Sequence, residues 1–253
     1  LSWFDTITIN AGIAEDQAAF LSVRLNRDTP YRRAIEQLIR RFDVGIDAIR
    51  FESRPLEFPD GMPSGLKQGF QAIFDEVSKI EGPVEMISVQ TIHQRYDAQG
   101  KPADQVIFDL FQNESAGTQR LFSFTGPLLR ALDIGGILVA DEFDARLHPN
   151  LAIELIRLFN DPATNPRHAQ LIFTTHNTNL LNAKLFRRDQ VWFIEKSRQG
   201  ASDLYSLLEY RIDGKIIRND ASFEKDYILG RYGAVPYIGD LGELREAGYV
   251  SES

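Results

Sequence analysis

The spacing of apolar positions along the chain shifts from helical to strand-like and back, and those shifts outline its elements. Ile35, Leu38, Ile39 and Phe42 recur at three- and four-residue intervals behind Thr29 and Pro30, which suit a cap and a first turn. A helix is predicted from there to Phe42, with Gly45 as its stop. Residues 53–65 carry three prolines and two glycines and read as a loop, after which Leu66, Phe70, Ile73, Phe74 and Val77 mark a second amphipathic helix. The opening LSWFDTITIN reads as a strand or a loop. From Val84 the texture is that of β-structure, where VEMISVQTIHQRY and DQVIFDLF flank the turn-forming quartet Asp97 to Gly100 and predict a hairpin. Leu121, Phe124, Leu128 and Leu132 return to helical spacing, with Pro127 as a point where that helix should kink or restart.

Ile137, Leu138, Val139 and Ala140 then show no alternation, the pattern of a strand buried on both faces of a parallel sheet. Pro149 opens another helix, with Leu151, Leu155, Leu158 and Phe159 on one face, and a second apolar run spans Leu171 to Thr175 and closes with His176. Strand, helix and strand make a right-handed βαβ unit, which puts both strands in one parallel sheet. If they are neighbours, His176 emerges at the same sheet edge as Glu142. The fold class expected is therefore α/β, with a parallel core sheet, flanking helices and a β-hairpin.

Composition narrows the class. With 28 basic against 36 acidic residues the net charge is −8, so a surface basic throughout is excluded, although a local groove could still touch DNA. Arg32, Arg33, Arg40 and Arg41 on the first helix fit either a solvated face or such a patch. There is no cysteine, so no disulfide framework or thiolate metal site is available, and a cytoplasmic home is the default. No apolar run approaches a membrane span.

Two stretches carry chemistry. In GGILVADEFDARLHP the apolar strand ends in Asp141 and Glu142, at the sheet edge where open α/β folds bind ligands. Such a pair suits magnesium and water handling in phosphoryl transfer, and also fits a solvated turn. In ESAGTQR, Ser115 is a favourable N-cap and Gly117 admits close backbone approach. Free amides and the positive end of a helix dipole make such a start either an anion site or an ordinary capped helix. His93, inside the hairpin, is assigned no role.

Residues 114–120 resemble the signature motif of ABC-type ATPases, residues 137–142 their Walker B strand with its glutamate, Asp144 the D-loop acid and His176 the switch histidine. ESAGT, DEFDARLHP and FTTHNTNLL are most similar to the bacterial AAA-type ATPases of the ABC clan, related to RecF and to the overcoming-lysogenisation-defect proteins. DVGIDAIRFE, LFRRDQVWFIEK and YILGRYGAVPYIG also resemble that family, so the likeness runs from about residue 40 to about residue 240. It implies an ABC-ATPase-like (P-loop NTPase) lobe with ATP and Mg2+ as cofactors, working as a head-to-tail homodimer that sandwiches nucleotide. Asp141 would hold the metal and Glu142 would activate water. Ser115, Gly117 and Thr118 would bind the γ-phosphate across the dimer. Asp144 would contribute from the D-loop and His176 would stabilise the phosphate. Family members often act in phage defence with a nuclease. The stretch after His176 is too short for a fused one, so a partner chain is implied.

The family's phosphate loop, G-x-x-x-x-G-K-[ST], is absent from these 253 residues. The nearest stretch, PSGLKQGF, lacks the second glycine and the hydroxyl residue. The chain is accordingly expected to be the C-terminal part of a fragmented or split ATPase, inactive alone. Residues 1–83 would form a helical, mixed region next to the missing Walker A segment, and residues 84–253 the ATPase core. Two rivals stand beside this reading. One is a metal-dependent nuclease or hydrolase using Asp141, Glu142, Asp144, His148 and His176 as ligands. The other is a non-hydrolysing regulatory half-ATPase that scaffolds a partner.

Overall fold

The computed structural model describes residues 6–10, 15–27, 29–42, 45–55, 61–81, 85–197, 199–212, 215–217 and 222–235. The expected strand start at Val84 lies outside these residues. So do Asp43 and Val44 of DVGIDAIRFE, the first five residues of the opening stretch, and residues 236–239 of the last family-like stretch. Two compact units are formed, residues 1–175 and residues 176–253.

In chain order the first unit contains β1 (Ile7–Asn10), α1 (Glu15–Arg27), α2 (Thr29–Arg41), β2 (Ala48–Pro55), α3 (Ser64–Glu81), β3 (Glu85–Tyr96) and β4 (Pro102–Asp109). There follow α4 (Leu110–Asn113), α5 (Ala116–Ile134), β5 (Ile137–Ala140), α6 (Pro149–Asn160) and β6 (Gln170–Phe173). The strands β1, β5 and β6 form a parallel sheet in that order, with Ile7, Ile137 and Gln170 in register at one end and Asn10, Ala140 and Phe173 at the other. The βαβ unit is as expected, and its two strands are neighbours. A separate antiparallel sheet has the order β2-β3-β4. Its β3–β4 hairpin turns at Asp97, whose carboxylate accepts from the amides of Gln99 and Lys101. The fold is thus mixed α/β: a parallel three-stranded sheet, flanking helices and an antiparallel hairpin, as in P-loop NTPases.

α1 and α2 both pack on α5, so these two helices share a core with residues beyond residue 83. α1 has no counterpart among the elements expected from the sequence. α5 is buried around most of its circumference, with Leu121, Phe122, Phe124 and Leu128 fully enclosed. It does not restart at Pro127 but continues as one helix from Ala116 to Ile134. A proline takes away the amide that would bond the carbonyl four residues back, here that of Ser123. Ser22 on α1 fills the gap: its hydroxyl donates to the Ser123 carbonyl at 2.9 Å and accepts from the Gly126 amide at 2.9 Å. α3 is the second amphipathic helix expected, and Leu66, Phe70 and Ile73 of its stripe stand exposed. β4 also ends earlier than the apolar run, because the Asp109 carboxylate caps α4 through the amides of Phe111 and Gln112.

The second unit holds two 3-10 turns (Thr178–Leu180 and Arg188–Gln190), the hairpin of β7 (Trp192–Lys196) with β8 (Ser202–Ser206), a small pair β9 (Arg211–Ile212) and β10 (Lys215–Ile216), and α7 (Phe223–Ile228). Its core gathers Val191, Phe193, Leu207, Ile217, Phe223 and Tyr232. Phe193 lies within 6 Å, centroid to centroid, of Tyr205, Tyr227 and Tyr232. Burial beside Glu195 and its neighbouring tyrosines pushes the Tyr205 phenol up to about 12. Among the described residues no helix is long and apolar enough to cross a membrane.

Candidate functional site

Asp141 and Glu142 leave β5 at its C-terminal end, both exposed. Thr174, one residue past β6, joins them: its hydroxyl donates to Asp141 Oδ1 at 2.5 Å and accepts from the Glu142 amide at 2.8 Å. The ladder continues past the strand ends, with the Thr174 amide on the Ala140 carbonyl and the Phe143 amide on the Thr174 carbonyl, both at 3.1 Å. Two adjacent parallel strands therefore fix the pair. Glu142 has φ 46°, a left-handed conformation that is uncommon for a residue with a Cβ and that clusters at functional sites. That turn directs the chain out of the strand. Its carbonyl is gripped by the Ala145 amide at 3.0 Å and by Arg120 Nη2 at 3.1 Å.

Arg120 comes from α5, where it is 4% exposed and lies over the Phe124 ring at 4.6 Å. It ties the second turn of α5 to the carboxylate loop. The first turn is tied to the same loop at Gly117, where an added Cβ would stand 2.8 Å from the Arg146 carbonyl oxygen. Gly117 thus serves close approach, but the partner seen is the loop carrying Asp144 and Arg146. Ser115 is the N-cap of α5 as expected, accepting from the Thr118 amide at 3.1 Å, with the Thr118 hydroxyl 2.9 Å away. The exposed Ser115 and the buried Thr118 close the helix start.

Among the expected residues, Asp141, Glu142, Asp144, Ser115, Gly117 and Thr118 belong to the first unit, gathered by α5 and the loop after β5. His176 is exposed and opens the second unit. His148 has a local duty, since its Nδ1 accepts from the Asn150 amide at 3.2 Å as the cap of α6. Among the described residues no three His, Asp or Glu side chains are grouped to hold a metal ion. The exposed Asp141, oriented by Thr174, suits the arrangement in which one or two carboxylates share Mg2+ with phosphate oxygens. Arg120 and Thr174 were missed in the sequence. Both sit inside family-like stretches, ESAGTQR and FTTH, but their bonds link positions 21 to 33 residues apart.

A model of the family described as "AAA domain, putative AbiEii toxin, Type IV TA system" matches residues 3–182. No curated protein and no solved structure matches the chain. The matched region takes in both sheets of the first unit, the α5 start and the carboxylate pair, and extends to the residues following His176. The chain belongs to this family of AAA domains, a class of nucleotide-binding, ATPase-like proteins that generally take ATP with Mg2+.

Proposed function

We propose that the chain is the signature- and Walker B-bearing part of an ABC-type ATPase that works as an ATP-gated dimer clamp. The observation that carries this reading is the Thr174-centred arrangement of Asp141 and Glu142 at the end of a parallel strand. Glu142 is the general base, lying within roughly 2.6 to 3.2 Å of the water that it orients for attack on the γ-phosphate. Asp141 holds Mg2+, which supplies neutralisation of the phosphate charge. Ser115, Gly117 and Thr118 present the α5 N-terminus to the γ-phosphate of nucleotide held by the opposite subunit, an anion site in helix-dipole terms. Asp144 acts from the loop between them, and His176 stabilises the phosphate. A phosphate loop outside these 253 residues supplies the main grip on ATP. Closure on ATP and release on hydrolysis then drive a partner, in phage defence or a DNA transaction, with a separate nuclease as effector.

The test is Glu142→Gln in the complete ATPase. The amide keeps the shape and loses the base, so ATP still binds, turnover vanishes, and trapped nucleotide holds a dimer on size-exclusion chromatography with ATP and magnesium. Hydrolysis at the wild-type rate would sink the assignment.

A further inference from the structure

β3 reaches the start of α5 through side chains to which the proposed chemistry gives no role. The Thr91 hydroxyl donates to Glu114 Oε1, and His93 Nε2 meets the same oxygen at 2.6 Å. Thr91 is fully buried, and the side chains of Glu114 and His93 are only 10% and 19% exposed. The His93 ring is backed by Phe108 of β4, with centroids 5.1 Å apart. Glu114 is extended (φ −78°, ψ 158°), ends α4 and directly precedes Ser115. Its own carbonyl accepts from Gln119 Nε2, on the first turn of α5, at 2.9 Å. The peptide leading into Ser115 is therefore clamped by the antiparallel sheet through the side chain and by α5 through the main chain. One more tether runs alongside, from the Ser88 hydroxyl on β3 to Asp109 Oδ2 at 3.0 Å.

A carboxylate bonded by a hydroxyl and an imidazole with little water around it is a stiff anchor, because leaving either partner unbonded costs far more there than at the surface. Ser115 one residue later has no comparable tertiary bond and takes its direction from that anchor. We propose that His93 and Glu114 are positioning residues for the phosphate site: they set the angle at which the chain enters α5, and so where the Ser115 hydroxyl and the first free amides of the helix stand. This rests on the reading of the α5 start as the γ-phosphate contact. It makes β3 a part of the ATPase site without touching nucleotide.

The experiment compares His93→Leu, His93→Gln and Glu114→Ala with wild type in the complete protein. Glutamine carries an N–H donor at about the reach of Nε2, and leucine does not. Displacement of a group by about 1 Å costs on the order of 100-fold in rate, so His93→Leu and Glu114→Ala should lose about 10- to 100-fold in kcat. KM for ATP should stay near wild type, because nucleotide grip lies with the phosphate loop. His93→Gln should restore most of kcat. Amide hydrogen exchange supplies a second reading: the loss variants should exchange faster at residues 115–119 and unchanged at 137–140. A fall in melting temperature with kcat per folded molecule intact would reduce the pair to a structural role and overturn the proposal, as would unchanged exchange at 115–119. Wild-type protein without ATPase activity, indifferent to Glu142→Gln, would instead sink the ATPase reading, and exchange would still decide whether the pair positions the α5 start.

Discussion

Glu142 holds a left-handed backbone that costs a side-chain-bearing residue about 1–3 kcal/mol, and it persists because its amide and carbonyl are both spoken for. Thr174 holds the one, Arg120 and Ala145 the other. The residue is exposed at the end of β5. Thr174 is the replaceable member. Thr174→Val keeps the volume and the backbone bonds but removes both hydroxyl bonds, so Asp141 loses its orientation and the Glu142 amide its partner. A hydrogen bond to a charged group is worth about 1.5–3 kcal/mol, and about 1.4 kcal/mol is tenfold in rate. The valine variant should therefore hydrolyse ATP at least tenfold more slowly while binding it nearly as well, measured by steady-state turnover and ATP titration. Turnover equal to wild type would show that the hydroxyl does not organise the pair. The Asp-Glu pair was legible because a strand's apolar run and its polar end are contiguous. Thr174 and Arg120 were not, because a bond spanning 33 or 22 residues leaves no local pattern.

Among the elements, α5 shows most clearly what a sequence can and cannot announce. Its apolar face and Ser115 cap are local facts and were predictable, and so was βαβ pairing from β5 to β6. Pro127 read as a break because the group that repairs the helix, Ser22, lies 101 residues from the carbonyl it serves. α3 was legible as an amphipathic helix, but periodicity alone does not say whether anything packs on its stripe, and Leu66, Phe70 and Ile73 are exposed. Ser22→Ala would leave the Ser123 carbonyl and Gly126 amide without that hydroxyl in a buried contact, at about 1–3 kcal/mol for each unsatisfied group. Gly126→Ala would place a Cβ 2.7 Å from the Ser22 backbone, forcing α1 off α5, and overpacking of this kind costs about 1–3 kcal/mol. Both variants should melt lower by a few degrees per kcal/mol, about 2–4 °C for a chain of this size, in scanning calorimetry. A melting temperature unchanged in Ser22→Ala would mean that α5 tolerates Pro127 without help from α1.

At the scale of the whole molecule, the proposal makes the site a shared one, and two measurements address it. Ser115→Arg puts a bulky cation at the α5 start and should block closure of the dimer while leaving ATP binding to the variant's own phosphate loop intact. Mixed with a phosphate-loop variant it leaves one competent composite site, so mixtures should recover partial turnover that neither variant shows alone. Equal loss of ATP binding in the single variant would mean that Ser115 acts within its own subunit. The second measurement follows from the sheet. Ile9, Val139 and Ile172 lie in one row across β1, β5 and β6, and Ile9 and Ile172 are 67% and 54% exposed. Parallel sheets are ordinarily covered on both faces, so this row is a surface suited to another segment. Most of the ground-state grip on β- and γ-phosphates comes from phosphate-loop amides and their lysine, while Asp141, Glu142 and Asp144 offer a polyanion like charge except where magnesium intervenes. The 253 residues alone should therefore bind ATP-magnesium negligibly in isothermal titration. A co-expressed segment carrying a phosphate loop should restore binding and shield Ile9 and Ile172 from solvent, read as slower exchange at amides 7–10 and 170–173. Micromolar binding by these residues alone would place the nucleotide grip within them and overturn the shared site.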